Sequence, residues 1–121
     1  MAKTVLVVDD DPTILRAVDA YLRIKGLKVI TVLDPAEAFK IAQTKKPDLI
    51  ISDVAMPGVD GFTLLRSLKE SSATQNIPLI LLTATDRITD VEKGFASGAR
   101  AYILKPIDWD RAWAKISPFL Q

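Results

Sequence analysis

The 121-residue chain contains no cysteine and no histidine. The first absence excludes disulfides, thiolate metal sites and cysteine nucleophiles. The second excludes imidazole bases, imidazole metal ligands and any phosphohistidine on this chain. An excess of one charge is also lacking: 16 Lys and Arg stand against 15 Asp and Glu, a formal balance of +1. No basic block suited to a phosphate backbone occurs, so nucleic-acid binding by bulk charge is not expected. Long apolar runs are missing too. Val5 to Val8 and Leu79 to Leu82 fall far short of the roughly 18 residues a membrane span needs. The opening Met-Ala-Lys-Thr leads into a short apolar run ending in three aspartates, unlike the apolar core and cleavage site of a secretory signal, and a cytoplasmic address is expected. What remains for chemistry is carboxylates, hydroxyls, lysine and arginine.

With 49% hydrophobic and 26% charged residues, the composition suits one compact domain spanning residues 1–121. Five strand-sized apolar runs recur: Thr4 to Val8, Leu27 to Val32, Asp48 to Ser52, Pro78 to Leu82 and Ala101 to Leu104. A segment with helical spacing follows each of them. These carry Ile14, Val18, Tyr21 and Leu22; Ala38, Phe39, Ile41 and Ala42; Phe62, Leu64, Leu65 and Leu68; Val91, Phe95 and Ala96; and Ala112, Trp113, Ile116 and Leu120. Asp11-Pro12 and Asp34-Pro35 each place an acceptor at the N-cap and proline at the first helical position, with Glu37 three residues after Asp34. Gly26 fits the end of the first helix, and Pro57-Gly58 marks a turn. Strands that read as continuous Val, Ile and Leu, without alternation, are covered on both faces. The expected fold is therefore α/β: a doubly wound five-stranded parallel sheet with right-handed crossovers.

Ligands of such folds gather at the carboxyl ends of the strands, where strand order reverses. The residues just beyond the apolar runs are Asp9 and Asp10, then Asp53, Thr83 and Lys105. With strand order 2-1-3-4-5, strands one and three are neighbours, and three carboxylates converge on one crevice. Three carboxylates and the single ammonium of Lys105 leave a nominal charge of −2, which a divalent ion cancels. An all-oxygen ligand set of few carboxylates favours Mg²⁺, with Mn²⁺ as a substitute. In that crevice Asp53 can act as a nucleophile forming an aspartyl phosphate, while Lys105 holds phosphoryl oxygens and Thr83 donates a hydroxyl hydrogen bond.

The runs VLVVDDD (5–11), PDLIISDVAMPGVDGF (47–62), LILLTA (79–84) and GARAYILKP (98–106) resemble the receiver domain of two-component response regulators, in that family's order and over essentially the whole chain. The resemblance implies a flavodoxin-like (βα)5 fold, an acidic pair at Asp9 and Asp10, a phosphoacceptor at Asp53, a switch hydroxyl at Thr83, a switch aromatic at Tyr102 and the family lysine at Lys105. It further implies Mg²⁺ held by Asp10, Asp53 and the backbone carbonyl of Ala55, with Asp9 acting through water, and a cis Lys105-Pro106 bond. Phosphorylation would draw Thr83 toward the phosphate and turn Tyr102 inward, remodelling the surface of the fourth helical segment, the fifth strand and the last helical segment. The implied partners are a histidine kinase or phosphotransfer protein and a downstream protein target, with no direct nucleic-acid or membrane contact, for a stand-alone monomer or weak dimer. Ala55 is smaller than the residue common at its position, and Thr85 is also modest in size. Both are expected to leave an acyl phosphate open to water.

Two other readings bear on the same residues. Asp9, Asp11 and Thr13 form a D-x-D-x-T pattern similar to the first motif of haloacid-dehalogenase-type phosphatases, with Asp9 as nucleophile. That family requires a later acidic pair, for which Asp108 and Asp110 are no convincing equivalent, and it leaves Asp53 without a role. A receiver-like docking module that is never phosphorylated is the other reading, although every chemical position is filled. Trp109 and Trp113 stand four apart on the last helical segment. Either one fills the space beside Ala112 while the other is exposed for a partner, or both pack on the sheet.

Overall fold

The computed structural model describes residues 2–54, 61–84, 92, 94–96 and 98–121. The five aliphatic runs form β1 (Thr4–Val8), β2 (Lys28–Val32), β3 (Leu49–Asp53), β4 (Leu79–Thr83) and β5 (Ala101–Leu104). Helices α1 (Pro12–Ile24), α2 (Pro35–Lys45), α3 (Gly61–Glu70) and α4 (Trp109–Ile116) lie between and after them, and a 3₁₀ turn (Ser117–Phe119) follows α4. In the fourth helical segment, Glu92 and Gly94, Phe95 and Ala96 are helical. Val91, Thr85, Ala55 and the Pro57-Gly58 pair lie outside the described residues.

The helix starts follow from side-chain capping. Asp11 accepts from the Thr13 amide at 2.9 Å and Asp34 from the Ala36 amide at 2.9 Å, each with proline at the first turn, where its missing N–H costs nothing. Asp108 caps α4 by accepting from the Arg111 amide at 3.2 Å. Past α1, Gly26 takes φ +86°, a left-handed geometry that a Cβ would oppose.

The strands make one parallel sheet in the order β2-β1-β3-β4-β5. Every residue of β3 and β4 is buried, the pattern of strands covered on both faces. On one face α2 and α3 pack over Leu6, Ile50, Leu79 and Leu81; on the other α1 and α4 pack over Val5, Val7, Ile51, Ile80 and Ile103. Two strand ends lie one residue later than the apolar runs suggest. Asp53 and Thr83 close β3 and β4 from within, because the ladder continues through the pairs Asp53 with Leu82 and Thr83 with Leu104.

Neither tryptophan is exposed, which corrects the reading that leaves one free. Both are half-buried on the α1 side: Trp109 stacks on Tyr21 at 4.5 Å between ring centroids, and Trp113 meets the same ring edge-on at 6.3 Å. The small, buried Ala112 faces the sheet core, so the two larger rings close over Tyr21 instead. Lys25 lies over Tyr21 and Trp113, 5.4 and 5.0 Å from the centroids.

Burial sets the expected mutational pattern. Leu22 is fully buried between α1 and the sheet, so Leu22→Ala should cost about 2–5 kcal/mol in urea unfolding followed by circular dichroism. Ile24, two residues on but 82% exposed, should change stability by less than about 0.5 kcal/mol as Ile24→Ala.

Candidate functional site

The order β2-β1-β3 makes β1 the strand from which the chain leaves in both directions, and the carboxyl ends of β1 and β3 flank the resulting crevice. Asp9 follows β1 directly, its amide donating to the Val32 carbonyl at 3.2 Å, which fixes the chain at that exit. Its side chain is wholly buried and both oxygens are engaged: Oδ1 accepts from the Asp11 amide at 2.9 Å and Oδ2 from Lys105 Nζ at 3.0 Å. Lys105 reaches this point because its own amide donates to the Thr83 carbonyl at 2.8 Å, continuing β5 past its last ladder pair. The same ammonium stands 3.4 Å from Asp53 Oδ1.

Asp9, Asp10 and Asp53 each offer an oxygen, and these atoms lie within 4.8 Å of one another, with Asp10 exposed and the other two buried. Thr83 is buried at the same end of the neighbouring strand, one residue beyond the β4 partner of Asp53. The structure thus brings together Asp9, Asp10, Asp53 and Lys105, with Thr83 on the adjoining strand end. Tyr102 sits farther back on β5, paired with Leu81, and is half-buried on the α2/α3 face of the sheet. The Lys105-Pro106 peptide is cis. Ala55, whose carbonyl is the remaining ligand implied by the sequence, lies outside the described residues.

Gly61 is a site residue that the motif reading passed over. It opens α3 with its amide donating to the Val54 carbonyl at 2.8 Å, and a Cβ there would stand 2.5 Å from the carbonyl oxygen of Asp53. Only a hydrogen fits, so this glycine lets α3 start against the backbone that carries Asp53. Its sequence signal was present as the second glycine of PGVDGF, just before an apolar helical run.

Charge explains the arrangement. Burial alone would push the Lys105 ammonium toward its neutral form, but the hydrogen bond to Asp9 and the charges of Asp53 and Asp9 outweigh it, and its pKa is raised. One ammonium cannot balance three carboxylates, and hard oxygen donors this close, one of them open to solvent, fit a magnesium-sized dication that retains water ligands. The full engagement of Asp9 with Lys105 and the Asp11 amide also argues against Asp9 as a nucleophile.

Known proteins resemble this chain in sequence and in fold. A family model described as the response regulator receiver domain matches residues 5–117. Response regulator PleD of Caulobacter vibrioides is 40% identical over 116 residues, 96% of this chain and 26% of its own. The chain therefore spans about a quarter of the length of that relative. Among solved structures, the chemotaxis protein CheY4 of Vibrio cholerae superposes with a TM-score of 0.93 at 31% identity, covering 99% of this chain and 100% of that one. The receiver domain of sensor histidine kinase PA1611 from Pseudomonas aeruginosa PAO1, which has a magnesium ion coordinated in its active site cleft, gives a TM-score of 0.90 at 26% identity, covering 99% and 98%.

The raised pKa of Lys105 has a pH consequence. A group whose folded-state pKa exceeds its unfolded value contributes stability fully below the unfolded value, about 10.4 for lysine, and loses it as pH rises through the folded one. In metal-free buffer, Lys105→Met should lower the urea midpoint at neutral pH, and its deficit against wild type should narrow only above about pH 10.4. Parallel urea titrations across the alkaline range would read this.

Proposed function

The chain belongs to the response regulator receiver domain family, and from that premise we propose that it takes a phosphoryl group onto Asp53 from a phosphohistidine of a histidine kinase or phosphotransfer protein. The observation that carries this reading is the meeting of Asp9, Asp10 and Asp53 with the Lys105 ammonium at two adjoining strand ends. Magnesium, as in the PA1611 receiver, would be held by Asp10, Asp53 and the Ala55 carbonyl, with Asp9 acting through water. When bound, it neutralises phosphoryl oxygens that three carboxylates would otherwise repel.

The remaining work falls to the chain itself. A carboxylate oxygen of Asp53 attacks phosphorus in line; the new bond is O–P, and the bond that breaks is the donor's P–N bond. The donor imidazole leaves with that electron pair and takes up a proton from solvent. No general base is required, because a carboxylate carries no proton to remove. Lys105, already poised between Asp9 and Asp53, follows the charge onto the phosphoryl oxygens, and Thr83 donates its hydroxyl to one of them. Asp9 positions the Lys105 ammonium.

The protein assists its own phosphorylation and dephosphorylation and turns over no separate substrate. Output is a protein contact in the cytoplasm: Thr83 moves toward the phosphoryl group, Tyr102 turns inward, and the surface around Glu92, Gly94, Phe95 and Ala96, β5 and α4 changes its affinity for a target.

Acetyl phosphate with Mg²⁺, read by intact-protein mass spectrometry, tests the chemistry. Wild type should gain one phosphoryl group, Asp53→Asn none, and chelation of the metal with EDTA should abolish the gain. Labelling of Asp53→Asn at the wild-type level, or slow turnover of a phosphomonoester that depends on Asp9, would overturn the assignment.

A further inference from the structure

Lys115 belongs to α4, whose neighbouring residues Ala112 and Ile116 are buried in the core on the α1/α4 face of the sheet. Tyr102 packs on the opposite face, against the core under α2 and α3. Nevertheless the two side chains meet. β5 is an edge strand, and the lysine passes around that edge: its Nζ donates to the Tyr102 backbone carbonyl at 2.6 Å and stands 4.3 Å from the centroid of the Tyr102 ring. Edge-on at 6.1 Å, Phe95 provides another boundary of the ring. The aromatic is thus held by a ring from its own face and by a cation that originates on the other.

We propose that Lys115 is a positioning residue that retains the Tyr102 ring at the outer edge of the sheet and so sets how readily it turns toward Thr83. The direction of that turn rests on the function proposed above. Because side chains alternate along a strand, Thr83 lies on the same face as Leu81, the β4 partner of Tyr102, two ladder pairs further toward the site. The ammonium is anchored on the Tyr102 carbonyl, which stays in place when χ1 rotates. A ring that swings toward Thr83 therefore leaves the cation behind, and the cation–π attraction favours the outward position alone. Only such a differential contact can bias a two-position equilibrium. A lysine that merely blunted the exposed strand edge would serve the carbonyl and leave the ring indifferent.

The two roles predict opposite results. The chain has two tyrosines, so Tyr21→Phe assigns the Tyr102 signal in a photo-CIDNP spectrum, which reads the access of a flavin dye to a tyrosine ring. In unphosphorylated Lys115→Met, which keeps an unbranched side chain but loses the charge, the ratio of outward to inward rings should fall roughly fivefold, and the Tyr102 enhancement, which reads the outward fraction, should drop below that of wild type. Lys115→Arg, which keeps a cation over the ring, should match wild type. A larger enhancement in Lys115→Met, from a ring left in place and uncovered, would overturn the proposal. So would an unchanged signal, or a Lys115→Arg variant that behaves like Lys115→Met. Acetyl phosphate labelling of the same samples keeps the two readings apart: an unlabelled wild type overturns the phosphoacceptor assignment, whereas the dye-access result judges Lys115.

Discussion

Repulsion among carboxylates at two adjacent strand ends is the constraint around which the molecule is arranged. Asp9 and Asp53 are both buried, and placing two such charges side by side in a poorly solvated crevice is unfavourable without a counter-charge. Lys105 supplies one from a third strand, within 3.0 and 3.4 Å of the two carboxylates, and this requires β5 to lie on the same side of β1 as β3. The order β2-β1-β3-β4-β5 and the raised pKa of Lys105 are two aspects of the same electrostatic arrangement. A single ammonium leaves the balance incomplete, and the three carboxylates, whose oxygens lie within 4.8 Å of one another, carry an excess of negative charge of the kind hard cations neutralise.

The rest of the fold holds these groups in place without adding charge. Three aspartate caps start α1, α2 and α4 at defined residues, and Gly61 lets α3 begin against the Asp53 backbone. The sheet core separates into two faces, with α1 and α4 on one side and α2 and α3 on the other. Contact between the faces must pass through the sheet or around its edge. Lys115 takes the second route at β5, and this gives the C-terminal helix a direct hold on an aromatic that packs with the other layer.

Much of this could be read along the chain. Continuous aliphatic runs identified strands covered on both faces; Asp-Pro pairs marked two helix starts; and Asp9, Asp10, Asp53, Thr83 and Lys105 stood out because each closes or follows an apolar run. Burial of every β3 and β4 residue and the observed caps agree with those readings. The tryptophans were less legible. Their spacing allowed either an exposed or a packed ring, and only the approach of α1 with Tyr21 decided it. Gly61 was overlooked because a glycine beside a turn looks like local flexibility until the carbonyl it faces is known.

Local units are written along the chain, namely which segments are strands and helices, where helices begin, and which chemically capable residues stand at strand ends. Those properties depend on side-chain shape, periodicity and capping among near neighbours. Tertiary structure alone decided which strand ends adjoin, how closely Lys105 approaches two carboxylates, and that Lys115 reaches Tyr102 around an edge. Such distances join residues 96, 52 and 13 positions apart, and they follow from how strands are ordered and layers packed, which no local pattern encodes.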